Sequence, residues 1–291
     1  VGGPVCQLGD DGPPAPTPRL GGRARWIDVH GGQLAAEVIG SGPPVLLLHG
    51  WTLDRRMWTM QARALAERFT LIAIDRRGFG QSTAPPGRAR EGDDIDAVAN
   101  ALGLDTFALV GMSQAGATAI RYAGNNRDRV RALVLQGVSL AGIPDLANAS
   151  DRIPLGDYVA MVRSGQLTQM KQLWAGHPLM AGLSADAIAI SAAMLTDYDG
   201  RDLLADPAGP SAQLGDVATL AMPVLAITGD ADTPWRRDVT AAIGRTAPMG
   251  QTRFITGGGH LCNLSHPAPF NAALASFLTH PFAPPLHAIN D

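Results

Sequence analysis

Only two cysteines, Cys6 and Cys262, occur among the 291 residues, which excludes a scaffold built on disulfides. A bridge between them would need an oxidising compartment, and two separate thiols are the expected state. No stretch approaches the roughly 18 consecutive apolar residues of a membrane span, so none is expected. Neither sign of charge dominates either. The formal net charge is −3, which offers no basic groove for nucleic acid and no face for an anionic membrane. Lysine is nearly missing: Lys171 is the only one, and arginine supplies the rest of the positive charge, a bias of composition rather than of function. His30, His177, His266, His280 and His287 lack ligand spacing such as H-E-x-x-H, so no metal is expected. What is present is apolar bulk. With 46% hydrophobic residues the chain can build one large core, with or without an inserted subdomain. A soluble protein is expected, cytoplasmic ahead of secreted, and the opening Val1 is compatible with either.

Residues 1–22 are rich in glycine and proline without apolar periodicity, and read as an extended arm. From Arg23 the pattern changes. "ARWIDVH" and "QLAAEVIG" flank His30-Gly31-Gly32 and predict an antiparallel hairpin. "PPVLLLHG" is a continuous apolar run, as in a strand buried on both faces. A helix over "RRMWTMQARALAERF", the strand "TLIAID", a helix over 93–103, and the strand "TFALVG" follow. Next come a helix over 114–125 and the strand "VRALVLQG". Residues 139–217 then carry helical patterns only, and strand–helix alternation resumes at "PVLAITG". The expectation is an α/β fold: a mainly parallel sheet covered on both faces, over 23–138 and 218–291, with a helical insertion at 139–217.

The run "LVGMSQAGATAI" places Ser113 just past the strand, among Gly111, Ala115 and Gly116. Small neighbours are what a sharp strand-to-helix turn needs, because strand and helix approach closely there. A serine hydroxyl is a weak nucleophile until a base takes its proton, so partners are required. "LAITGDADTP" ends a later strand in a turn bearing Asp230 and Asp232. "FITGGGHLCNL" ends the last strand in a glycine-rich loop bearing His260. The order Ser, Asp, His suits three strand ends lying side by side, and either aspartate could supply the acid. A developing oxyanion needs two donors in place, and the backbone N–H groups of Trp51 and Gln114 are the natural pair. Trp51 and Met112 flank this chemistry and are expected in a substrate pocket; Cys262 is expected to pack nearby without reacting.

These motifs make the chain resemble the α/β-hydrolase superfamily, from about Arg23 to His280. "LLLHGW" resembles its oxyanion turn, and "DRRGFGQS", Asp75 to Ser82, its D-x-R-G-x-G-x-S loop. The "GHLCNLSHPAPFNAALASFL" tail is similar to the enol-lactonase and carboxylesterase branch, with Ser265 where that branch often has Glu. The resemblance implies the α/β-hydrolase fold with a helical cap after the sixth strand. It also implies a Ser113–His260–Asp232 triad, the acid standing at the end of Gly229 to Asp232 and Asp230 bracing the turn. A cap would bring Trp174 and other apolar side chains such as Met170 and Met180 over the pocket.

The function expected is cofactor-free hydrolysis of a small ester through an acyl-enzyme, with a lactone or enol-lactone as the alternative substrate. A perhydrolase or haloperoxidase is less expected, since Thr52 stands where that branch usually has proline. Epoxide hydrolases and haloalkane dehalogenases carry Asp, not Ser, at the elbow. A ligand-binding protein derived from a hydrolase would keep the fold without turnover. Arg152, Arg163 and Arg201 are the insertion's candidates for a carboxylate-bearing substrate; they are expected to be solvated, which favours uncharged esters.

Overall fold

The computed structural model describes residues 16–17, 19–143, 152–206 and 209–279. Eight strands form one sheet: β1 (Arg23–Val29), β2 (Gly32–Ile39), β3 (Pro44–Leu48), β4 (Thr70–Ile74), β5 (Phe107–Met112), β6 (Val130–Gln136), β7 (Val224–Gly229) and β8 (Gly250–Ile255). Their spatial order is β1-β2-β4-β3-β5-β6-β7-β8. The β1–β2 and β2–β4 pairs are antiparallel, and all other neighbours run parallel.

The apolar runs occupy the middle of this sheet because only there are both faces covered. Alternate side chains then feed separate cores. Leu46 and Leu48 of β3 point into one, Val45 and Leu47 into the other. The first core is closed by α2 (Glu91–Ala101), α3 (Ala115–Asn125) and α8 (Pro234–Thr246). The second is closed by α1 (Thr59–Leu65), α9 (Cys262–Ser265) and α10 (Pro267–Thr279). Helix α2 begins ahead of the expected residue 93 because the Glu91 carboxylate is drawn inward, paired with Arg76 and accepting from Thr118 Oγ1.

Between β6 and β7 lie α4 (Leu155–Arg163), α5 (Leu167–Ala175), α6 (Ala185–Asp197) and α7 (Leu214–Ala218). Helices α4, α5 and α6 share a small aromatic core of Tyr158, Met170, Trp174 and Tyr198, closed below by Trp51 and Phe79 from the sheet side.

The chain joins the domain before Arg23, where an arm through Gly22 is expected. The buried carboxylate of Glu37 on β2 accepts from the backbone N–H of Arg19, Leu20 and Gly22 at 2.7, 2.8 and 2.7 Å. A buried charge needs such donors, and the residues leading into β1 supply them. Cys262 is a free, buried thiol, and Cys6 lies outside the described residues.

Candidate active site

Parallel strands end on one edge of a sheet, so the turns after β3, β5, β7 and β8 meet there. Ser113 follows β5 with φ 51°, a left-handed conformation that is strained for a serine. Its backbone N–H donates to Gln136 O at 2.8 Å, anchoring the turn to β6. The small residues around it have a steric cause. A Cβ on Gly111 would lie 2.7 Å from Ala119 Cβ, and one on Gly116 would overlap Val138.

His260 arrives on the loop after β8. Its Nε2 lies 3.0 Å from Ser113 Oγ, and its Nδ1 lies 3.0 Å from Asp232 Oδ2. The ring rests on Gly137, where an added Cβ would stand 2.7 Å from Nδ1. Asp232 is buried after β7. Thr228 Oγ1 donates to its Oδ2 at 2.5 Å and the Thr233 N–H to its Oδ1 at 2.7 Å. Burial acts to raise the Asp232 pKa, but the facing His260 and these donors outweigh it and hold the carboxyl below its ordinary value. Asp230 instead accepts from the Gly257 N–H at 2.7 Å, tying the β7 turn to the β8 loop. The two aspartates are thus separated by what they touch: Asp232 faces the imidazole and Asp230 faces backbone.

The turn after β3 lies against the serine. A Cβ on Gly50 would come within 3.4 Å of Ser113 Cβ. Beneath it His49 is buried, its Nε2 accepting from the Arg76 N–H at 2.9 Å, which leaves the proton on Nδ1 to donate to Gly50 O at 2.8 Å. Burial, followed by the Arg76 charge, lowers the His49 pKa to about 3, so this ring stays neutral. Arg76 also donates to His49 O and to Gln114 Oε1, joining the β3 turn to the residue after the serine. Among the described residues, the backbone N–H groups of Trp51 and Gln114 make no turn or loop hydrogen bond. At the head of the same "DRRGFGQS" loop, Asp75 pairs with Arg55 and accepts from the Arg55 and Gln81 N–H groups at 2.9 and 2.8 Å.

A cavity of about 430 Å³ opens over Ser113 and His260. Trp51, Met112, Gln114 and Trp174, all expected at the site, line it. Indole donors join the β3 turn to the helices above. Trp51 Nε1 donates to Asp202 Oδ2 at 2.8 Å, and Trp174 Nε1 donates to Thr52 Oγ1 at 2.8 Å. Arg152 and Arg163 are exposed, while Arg201 is half-buried and donates to Gly78 O and Ser82 O. None of these three lines the cavity, but Arg88 and Arg236, which sequence reasoning missed, both do. Each follows a strand-end loop by a few residues, the one local signal available. Among the described residues no cluster of His, Cys, Asp and Glu could hold a metal, and no helix is long and apolar enough to cross a membrane.

Comparison with known proteins adds the following. Residues 43–267 match the family model of the alpha/beta hydrolase fold. A soluble epoxide hydrolase of Corynebacterium sp. is 35% identical over 130 residues, which are 44% of each chain. The chain thus spans less than half the length of that relative. Among solved structures, bromoperoxidase from Bacillus anthracis superposes with TM-score 0.74 at 25% identity, over 88% of this chain and 100% of that one. A thermophilic esterase from Thermogutta terrifontis, with malate bound, gives TM-score 0.73 at 27% identity, over 90% of this chain and 100% of that one.

Proposed function

The chain belongs to the α/β hydrolase fold family, and within it we propose a serine hydrolase that cleaves carboxylic esters through an acyl-enzyme. The observation that carries this reading is the hydrogen-bonded line from Ser113 Oγ through His260 to Asp232, 3.0 Å at each step. Ser113 Oγ attacks the ester carbonyl while His260 Nε2 takes its proton. Asp232 accepts from Nδ1–H, fixing the tautomer and stabilising the imidazolium. The N–H groups of Trp51 and Gln114 receive the oxyanion, and the start of α3 adds its dipole. His260 then protonates the leaving alcohol, and water, activated the same way, releases the acid. The helices between β6 and β7 act as a cap that supplies the upper wall of the cavity.

Lactones would react by the same steps, with alcohol and acyl group still joined; the enol-lactonase-like tail supports that alternative. Two observations weigh against other readings. A hydroxyl, not a carboxylate, stands at the elbow, unlike the nucleophile of epoxide hydrolases and dehalogenases. Thr52 has φ 59°, which proline, held near −65°, does not adopt, and this supports the ester reading over the perhydrolase one.

The test is turnover of p-nitrophenyl acetate beside a γ-lactone and a peracid-forming assay. The expected result is a burst of one nitrophenolate per chain followed by steady ester hydrolysis. A burst-free protein without turnover of any ester or lactone would leave a binding role and overturn the proposal.

A further inference from the structure

Among the described residues, the cavity over Ser113 is lined by two arginines, Arg88 and Arg236, and by no aspartate or glutamate. The two are held differently. Arg236 is buried, donates to Gly137 O at 3.2 Å, and lies 5.0 Å from the Trp235 ring centroid, an arrangement that fixes it as part of the wall. Arg88 is half-buried at the opening of the short 3₁₀ turn Arg88–Arg90. It donates from Nη2 to Pro210 O at 3.1 Å, its Nε is buried without a partner, and no carboxylate among the described residues lies within 4.0 Å of it. Of the acids near it, Glu91 is engaged with Arg76 and Thr118 and Asp202 with Trp51 and Tyr198, while Asp206 lines a smaller adjoining pocket and makes no ion pair with Arg88.

A half-buried planar guanidinium with one bond to protein among the described residues is an incomplete arrangement, since carboxylates complete it with two parallel bonds. Its position is also built. A Cβ on Gly209 would lie 3.2 Å from Arg88 Nε and 3.3 Å from its Cζ, so the backbone there packs directly on the guanidinium. Partial burial lowers the Arg88 pKa, and an anion arriving in the cavity meets a charge partly withdrawn from water. The remaining wall is largely apolar, with Leu53, Met112, Trp174 and Leu261 suited to a carbon chain between two polar ends.

We infer that Arg88 is the receptor for a carboxylate on the substrate, and that the site takes esters bearing a second, free acid group, such as half-esters of dicarboxylic acids. This rests on the serine-hydrolase reading and narrows its substrate class. It also replaces the expectation of uncharged esters, which rested on arginines that lie outside the cavity.

The experiment compares kcat/KM for monoethyl succinate, glutarate and adipate with ethyl butanoate, pentanoate and hexanoate, in the wild type, Arg88→Gln and the exposed-site control Arg152→Gln. The wild type is expected to prefer at least one half-ester over its neutral counterpart. In Arg88→Gln that preference falls by about 10- to 100-fold, the worth of a charge-assisted contact, and Arg152→Gln keeps it. Gly209→Ala, which crowds Arg88 without removing its charge, lowers it by a smaller factor and serves if Arg88→Gln does not fold. Adipate is also expected to raise the melting temperature of the wild type and not of Arg88→Gln, a readout independent of turnover. Neutral esters hydrolysed better at every length, or an unchanged preference in folded Arg88→Gln, would overturn the inference alone. Loss of all ester turnover would instead overturn the serine-hydrolase reading, leaving the adipate shift to decide the role of Arg88.

Discussion

The turns at the C-terminal ends of β3, β5 and β8 and the helices above them line one cavity, but they are held by different means. Backbone bonds and close packing, braced by Asp230 and Arg76, fix the turns. Ser113 N–H donates to Gln136 O at 2.8 Å and Ala231 N–H to Gly258 O at 2.9 Å, and a Cβ at Gly111 or Gly137 would collide with what packs there. Side chains hold the helices, through the Trp51–Asp202 and Trp174–Thr52 bonds and an aromatic cluster in which the Trp51 and Trp174 rings sit 4.7 Å apart. A turn pinned by backbone keeps reacting groups within the small tolerance that chemistry demands. A wall held by side chains changes its lining without disturbing the sheet. On this account the lower region sets the reaction and the upper region sets what is admitted.

The largest effect is expected from Ser113→Ala. It removes one half-buried hydroxyl and no core volume, so ester turnover is expected to fall by about 10⁴- to 10⁶-fold with the melting temperature unchanged. Steady-state kinetics beside thermal unfolding check both halves. A folded variant with near-normal turnover would take the reaction away from the β5 turn.

Asp232→Asn comes next, with a loss of about 10³- to 10⁴-fold because the amide favours the wrong imidazole tautomer. Asp230→Asn, on the same turn, loses only part of a contact to the Gly257 N–H, and a stability change of about 1 kcal/mol is expected in denaturant melts. The opposite ranking in turnover would move the acid to Asp230.

The third effect belongs to stability. Because burial and Arg76 hold the His49 pKa near 3 against 6.5 for a free imidazole, the unfolded chain binds a proton in that window and the folded chain does not. The stability from the neutral ring is present above pH 6.5 and is lost as pH falls towards 3, with a slope of about 1.4 kcal/mol per pH unit. Stability from urea melts across that range is expected to rise more steeply with pH in the wild type than in His49→Gln, by about that slope, the contribution of other groups such as Asp75 being common to both. An equal slope in both proteins would remove His49 as its source.

The smallest effect probes the boundary between the regions. Trp174→Phe keeps a ring in the aromatic cluster and deletes the bond to Thr52, whose neighbour Trp51 supplies a proposed oxyanion donor. A loss in kcat of about 2- to 10-fold is expected, the worth of one hydrogen bond transmitted to the turn. An unchanged kcat with altered KM would confine the helices to binding.

The same division decides what was readable in the sequence. Ser113, Asp232 and His260 each stand a few residues past an apolar strand, among small residues whose need is local, so a short window reveals them. The parallel order of those strands then follows from the alternation of strands and helices, and it brings the three together. The cavity wall depends on packing between segments far apart in the chain. Arg88, after the β4 loop, meets Gly209 and Pro210 across the sequence, and no periodicity announces that contact. The arginines of the helical segment are the candidates the sequence offers because they share it with the expected cap, yet Arg152 and Arg163 are exposed and outside the cavity over Ser113, and Arg201 is spent on the carbonyls of Gly78 and Ser82. The docking of Arg19, Leu20 and Gly22 was hidden for a related reason: backbone N–H groups, which every sequence carries, make it, and only the burial of Glu37 gives it force.

The central claim is that Ser113, activated by His260, is the nucleophile, and covalent labelling reads it directly. After incubation with a fluorophosphonate, intact-mass and peptide mapping should find one adduct per chain, on Ser113, formed in step with the loss of ester turnover. His260→Ala should label far more slowly. An adduct on another residue, or full turnover in protein whose Ser113 is fully labelled, would contradict the account.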